Sequence, residues 1–199
     1  MKSRPKISHR QREIIMGKLL GDGHAETRTK GRTYRLKFEH SYNQKEYIDW
    51  LYFEMGPLTS GQPSIKKQSI KNIEYKKYWF NTVTSPSFRF YGQQFYKNRK
   101  KIVPKLIHRW LTPLTLAVWF MDDGSIKSKF HKAKIINTQS FSKEDIKRLI
   151  QVLMSKYGVK AKLRKQKEGY QIYLLSETIK SFEAIIRPYI IPSMKYKLG

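Results

Sequence analysis

LTPLTLAVWFMDDG, residues 111–124, opens with a helix start signal and closes in acid. Thr112 is a favourable N-cap and Pro113 suits the first helical position, so a helix is predicted from near Leu114 to Gly124. Leu114, Leu116, Ala117, Val118, Trp119, Phe120 and Met121 make that helix apolar on every side, and it must be buried. A helix C-terminus carries about half a negative charge, which disfavours an aspartate there by about 0.3–1 kcal/mol. Taken singly, Asp-Gly is ordinary turn chemistry closing a helix.

The arrangement occurs twice. In QREIIMGKLLGDGHA, residues 11–25, Ile14, Ile15, Met16, Leu19 and Leu20 fall at helical spacing, and Gly21 and Gly23 stop the helix around Asp22. The order of segments after each acid is also shared. In the first half RTYRLKFEH alternates Tyr34, Leu36 and Phe38 with Arg35, Lys37 and Glu39, the pattern of a half-buried strand. A polar turn, the helix EYIDWLYFEM, a loop over residues 56–72, strand material in IEYKKYWFNTVTS and a helical piece near SFRFYGQQFYKN follow. In the second half come the strand KAKIINTQS, the helix KEDIKRLIQVLMSKYG, the basic hairpin AKLRKQKEGYQIYLLS and the helix ETIKSFEAIIRPYI. Each half therefore runs helix, strands, helix, strands, helix, an α+β pattern. Asp22 and Asp123 lie about 100 residues apart, too long a period for a solenoid and suited to two fused, similar subdomains. The predicted organisation is a flexible basic arm at 1–10, a subdomain at 11–95, a linker at 96–110 and a second subdomain at 111–199.

Composition narrows the partner. The 199 residues carry 41 Lys and Arg against 15 Asp and Glu, a formal charge of +26, which repels itself unless a polyanion lies alongside. The basic residues are spread along the whole length and interleaved with Tyr and Phe, unlike the clustered runs of a membrane-surface protein. Nucleic acid is the expected partner. With no cysteine, disulfides and Cys-based zinc modules are excluded, and a reducing compartment is expected. No apolar stretch reaches the roughly 18 residues needed to span a bilayer, and MKSRPKISHR lacks the apolar core of a signal peptide. The five histidines show no ligand spacing and none is assigned to a site.

If the two apolar helices pack side by side about a pseudo-twofold axis, Asp22 and Asp123 arrive at one end together. Paired carboxylates repel, and bound cations are the usual remedy. Hard oxygen ligands select Mg²⁺ or Mn²⁺, ions suited to activating water and stabilising a leaving oxygen in phosphodiester cleavage.

IIMGKLLGDG and LAVWFMDDG resemble the two copies of the motif that names the LAGLIDADG homing endonucleases, in their single-chain, two-motif form. LTPLTLAVWFMDDGS, IINTQSFS and IRPYIIPSMKYKL extend the resemblance through the second half, and GKLLGDGHAETRTKGRTYRLKFEH more loosely through the first. The resemblance implies an α+β fold of two pseudo-twofold-related αββαββα subdomains packed through the motif helices, with two antiparallel saddle-like sheets laid in the DNA major groove. It implies metal at Asp22 and Asp123, with the carbonyls of Gly21 and Asp122 also in reach, and an active-site lysine from each half, Lys101 and Lys197. Mg²⁺ is the implied cofactor, with Mn²⁺ substituting. The implied activity is hydrolysis of both strands of a long, weakly or non-palindromic DNA site across the minor groove by a monomer expressed in an organelle from within an intron. Candidate DNA contacts on exposed strand faces are Arg35, Lys37, Glu39, Lys132, Lys134, Lys162, Arg164, Gln171 and Tyr173, some reading bases and others meeting only phosphate. The competing expectation is an RNA maturase on the same scaffold, which basic charge and 13 tyrosines suit equally. Two positions depart from the motif: Lys18 stands where an apolar residue is usual and Val118 where a small one is, so looser helix packing is expected there, away from the acids.

Overall fold

Ser8 starts the first helix. Its hydroxyl accepts from the Gln11 amide at 3.2 Å while the Gln11 side chain accepts from the Ser8 amide at 3.0 Å, a reciprocal box that satisfies two orphan donors. Helix α1 therefore runs His9–Leu20, beginning inside the stretch expected to be a loose arm. The structure, a computed structural model, describes residues 6–70, 72–128 and 131–199, so the first five residues of that arm lie outside the described residues.

The chain divides into two compact units, Met1–Gln93 and Gln94–Gly199. In the first, α1 is followed by β1 (His24–Glu26), β2 (Arg35–Ser41), α2 (Lys45–Met55), β3 (Ser64–Ile70), β4 (Ile73–Asn81) and α3 (Arg89–Phe95). The second opens with a small hairpin, β5 (Tyr96–Lys97) and β6 (Lys100–Lys101), and a helical turn, α4 (Ile107–Trp110). It continues through α5 (Pro113–Asp123), β7 (Gly124–Ser128), β8 (His131–Ile136), α6 (Lys143–Tyr157), β9 (Ala161–Gln166), β10 (Gly169–Leu174) and α7 (Ile179–Ile186). From α1 and from α5 the same αββαββα order unfolds, and the two antiparallel sheets share one topology, β1-β2-β4-β3 and β7-β8-β10-β9.

The capping signal read from sequence at Thr112 is the one used, and α6 has a cap of the same kind. The Thr112 hydroxyl accepts from the Thr115 amide at 3.2 Å with Pro113 at the first helical position, and Ser142 caps α6 through the Asp145 amide at 3.1 Å. Every residue from Ile14 to Leu20 and from Leu114 to Asp122 is buried, so α1 over that stretch and α5 are covered round their circumference. In the first unit Leu36 and Phe38 of β2 face inward, where the Phe38 and Phe80 rings meet edge to face at 5.3 Å between centroids.

Two expectations are corrected. The loop expected over residues 56–72 contains β3, which pairs with β4 from Ser64↔Trp79 to Ile70↔Ile73. As an edge strand, β3 has exposed residues on both faces and so carries no alternating apolar signature. The expected linker 96–110 holds the β5–β6 hairpin, whose two-residue turn puts Asn98 (φ 50°) and Arg99 (φ 62°) in the left-handed region. Asparagine tolerates that region, and two successive positive φ values match the twist of a tight hairpin.

Candidate active site

Each unit ends its first long motif helix in a tight turn that delivers an acid. In the first unit the Gly21 amide donates to the Gly17 carbonyl at 3.0 Å and the Gly23 amide to the Lys18 carbonyl at 2.7 Å, placing Asp22 at the helix end. A Cβ on Gly23 would sit 2.7 Å from that carbonyl, so the residue after the acid must be glycine for the chain to fold back this closely. The Asp22 side chain is 48% exposed, and one of its oxygens lies 3.7 Å from Nδ1 of the buried His40.

The second unit repeats the device. A Cβ on Gly124 would strike the Phe120 ring at 2.3 Å. The Asp123 carbonyl accepts from both the backbone amide and the side-chain amide of Asn137, at 3.0 and 3.1 Å, which ties the acid's backbone to the end of β8. Asp123 is half-buried, whereas its neighbour Asp122 is buried. Lys197 is also buried, and its ammonium donates to the carbonyls of Met121 and, at 2.8 Å, Asp122. A cation on the last carbonyls opposes the negative end of the helix dipole, so the electrostatic penalty of ending α5 in two aspartates is offset at the same spot. Lys101 lies on β6 opposite Tyr96 and is half-buried.

Sequence reasoning passed over two residues of this region. His40 lies on the inward face of β2, and its Nε2 is 2.8 Å from Nζ of Lys18, which is wholly buried in α1. Lys18, expected to act away from the acids, instead reaches the histidine beside Asp22. The available signal was an uncompensated lysine within a run of buried apolar residues.

The outward sheet faces gather most of the expected DNA contacts. Lys162 pairs opposite Tyr173, and Arg164 opposite Gln171, while Ile172 and Leu174 point inward. Lys162 and Arg164 are exposed; Gln171 donates to Asn137 at 2.6 Å, and Lys127 stands over the Tyr173 ring at 5.3 Å. On the first sheet Arg35 pairs with Glu26 at 2.7 Å, and Glu39 is held by Lys37 at 2.7 Å and Lys77 at 2.8 Å. Burial pushes the Glu39 carboxyl up, but hydrogen bonding and charge from Lys37 and Lys77 outweigh it and hold the group below the usual carboxylate range.

A lowered native pKa means Glu39 stabilises the fold fully above the ordinary glutamate value, and that contribution disappears as pH falls through the lowered one. Chemical denaturation followed from pH 7 to pH 3 should therefore show a shallower acid limb for Glu39→Gln than for the parent.

One expected contact is corrected. Lys134 pairs opposite Leu174 and Ile126, which turns it to the inward face; it is 2% exposed. Its ammonium donates to the Leu198 carbonyl at 2.5 Å and pairs with Glu183 at 3.0 Å, so it is an internal tie rather than a DNA contact. A buried ammonium needs such partners, and here they also anchor the segment that carries Lys197. The side chain of Lys132 lies outside the described residues.

DNA endonuclease I-ChuI of Chlamydomonas applanata is 32% identical to this chain, with 97% of this chain and 96% of that protein covered. The cytochrome b mRNA maturase bI2 of Saccharomyces cerevisiae is 39% identical over 94% of this chain, which spans about half of that relative, 46% of its length. Among solved structures, the homing endonuclease I-WcaI bound to its DNA recognition sequence matches with a TM-score of 0.92 and 28% identity, over 98% of this chain and 88% of that one. The profile of the LAGLIDADG DNA endonuclease family matches residues 12–182, a span that takes in both acid turns and both four-stranded sheets, and the chain belongs to that family.

Proposed function

We propose that the protein is a site-specific homing endonuclease that hydrolyses one phosphodiester on each strand of a long DNA site, across the minor groove, and so promotes intron mobility. The observation that carries this reading is the duplicated acid turn: each unit ends its motif helix in an aspartate, followed by a glycine whose missing side chain the fold requires. A protein relieved of cleavage need not keep both. I-WcaI, with the same fold along nearly the whole chain, is bound to its DNA recognition sequence, which supports duplex DNA as the partner.

The residues present fit a divalent cation. Asp22 and Asp123 offer hard carboxylate oxygens, and the carbonyls of Gly21 and Asp122 stand immediately before them. Bound Mg²⁺, or Mn²⁺ in its place, would supply water activation and charge neutralisation at the scissile phosphate. Asp22 and Asp123 hold the reacting groups, one acid per strand. Lys197, fixed by two carbonyls, places positive charge beside the second acid, where it tunes water or steadies phosphate charge. Lys101 serves the other strand in the same way. The outward rows Arg35, Lys37 and Glu39, and Lys162, Arg164, Gln171 and Tyr173, contact the major groove. The protein acts as a monomer on a weakly or non-palindromic target, in the organelle whose intron encodes it.

A second reading follows from the 39% identical relative, which is named a maturase: binding and folding of intron RNA. Incubation with Mg²⁺ and a randomised long-duplex pool, followed by sequencing of cut ends, separates the two. Recurrent paired cuts on opposite strands are the expected result. Intact DNA together with faster splicing of the host intron RNA would favour the maturase.

A further inference from the structure

We propose that Lys18 and His40 are positioning residues for Asp22, and that His40 turns a protonated Nδ1 toward that carboxylate as an electrostatic partner instead of ligating metal; this rests on the reading of Asp22 as a metal-holding acid. Lys18 is wholly buried, and its ammonium faces the Tyr47 ring at 5.1 Å, the Phe38 ring at 5.8 Å and Nε2 of His40 at 2.8 Å. Aromatic faces suit a desolvated cation, and the methylene stem fills the space an apolar residue would occupy.

Hydrogen-bond chemistry then decides the state of the imidazole. An ammonium has three donors and no acceptor, so Nε2 must accept and carries no proton. In a neutral imidazole the proton then resides on Nδ1. Nδ1 donates to Oε1 of Gln44 at 3.0 Å, and Oδ2 of Asp22 lies 3.7 Å away, an electrostatic neighbour that favours the same protonated nitrogen. A protonated Nδ1 has no lone pair left for a cation. His40 is thus clamped between Lys18 and Gln44, packed against the Tyr47 ring at 5.0 Å, with the positive, protonated edge of its ring beside the Asp22 carboxylate. With the ammonium gone, the acceptor role of Nε2 is no longer enforced, and the tautomer that turns an Nδ1 lone pair toward Asp22, repelling it, becomes accessible.

Two measurements test this together. Long-range ¹H–¹⁵N correlation on the metal-free, histidine-labelled protein reads the tautomer directly: Nδ1–H is expected for His40, and Nε2–H or an imidazolium would overturn the proposal. Strand-resolved nicking of the target reads the consequence. Outer partners of metal-binding groups typically change affinity or activity by about 10–100-fold when removed. Lys18→Met and His40→Leu should therefore slow, by about that factor, only the strand whose cutting is lost in Asp22→Asn, with DNA affinity and cutting of the other strand unchanged. His40→Asn, which retains a donor near the Nδ1 position, should recover most of the rate. Equal slowing of both strands, or no recovery by His40→Asn, would leave Lys18 and His40 as packing residues only. If Asp22→Asn itself fails to select a strand, the reading of Asp22 is what falls. Thermal unfolding of each variant identifies any that misfolds, and the tautomer of the parent protein then decides.

Discussion

Asp22→Asn and Asp123→Asn are each expected to reduce double-strand cleavage by about 1,000-fold while DNA affinity stays within about threefold. Asparagine preserves shape but removes the formal charge that holds a hard cation, and charge stabilisation at a scissile phosphate is worth several kcal/mol, with each 1.36 kcal/mol a factor of ten. Affinity should survive because it resides in the broad basic surface. The neighbouring residue is the control. Asp122 is expected to contribute its carbonyl, which Lys197 already engages, so Asp122→Asn keeps the relevant oxygen and should cut within about tenfold of the parent. Quenched-flow cleavage of a labelled target, with binding measured separately in Ca²⁺, checks all three. Full activity in Asp123→Asn alongside loss in Asp122→Asn would move the second acid by one residue.

Affinity for the duplex should fall by about 10³–10⁵ between 50 and 200 mM salt, the range for a protein neutralising about 6–10 phosphates. The net charge of +26 is spread over the chain, and the exposed Lys162 and Arg164 on one sheet have no carboxylate directly opposite them in the strand register. Arg35, Lys37 and Lys77 on the other sheet are ion-paired to Glu26 and Glu39 and must exchange those partners for phosphates or bases. Some of their counter-charge is therefore internal, which places the first sheet's contribution to the slope below that of the second. Fluorescence anisotropy titrations across a salt series measure this; a slope near zero would contradict the reading of the charge.

Much of the architecture was legible from residues alone. Thr112 and Pro113 announce α5, because caps act within a few residues and need no distant partner. The repeated order of segments predicted two like units, and both carry the αββαββα order. The short strands β1 and β7, leaving directly from the two acid turns, were not legible. Neither was β3, because an edge strand exposed on both faces has no apolar period to read.

Local sequence determined where the helices begin, where the two acids fall, and that a glycine follows each. Register was decided only by tertiary structure. Lys134 and Lys162 look alike in sequence, yet pairing of β8 with β10 turns Lys134 inward to Glu183, while pairing of β9 with β10 leaves Lys162 in the open. A strand alternates faces at every residue, so a lysine's exposure follows from which neighbour it meets and on which side. The same holds for Lys18 and His40, more than twenty positions apart, whose meeting beside Asp22 depends on α1 lying against the inward face of β2.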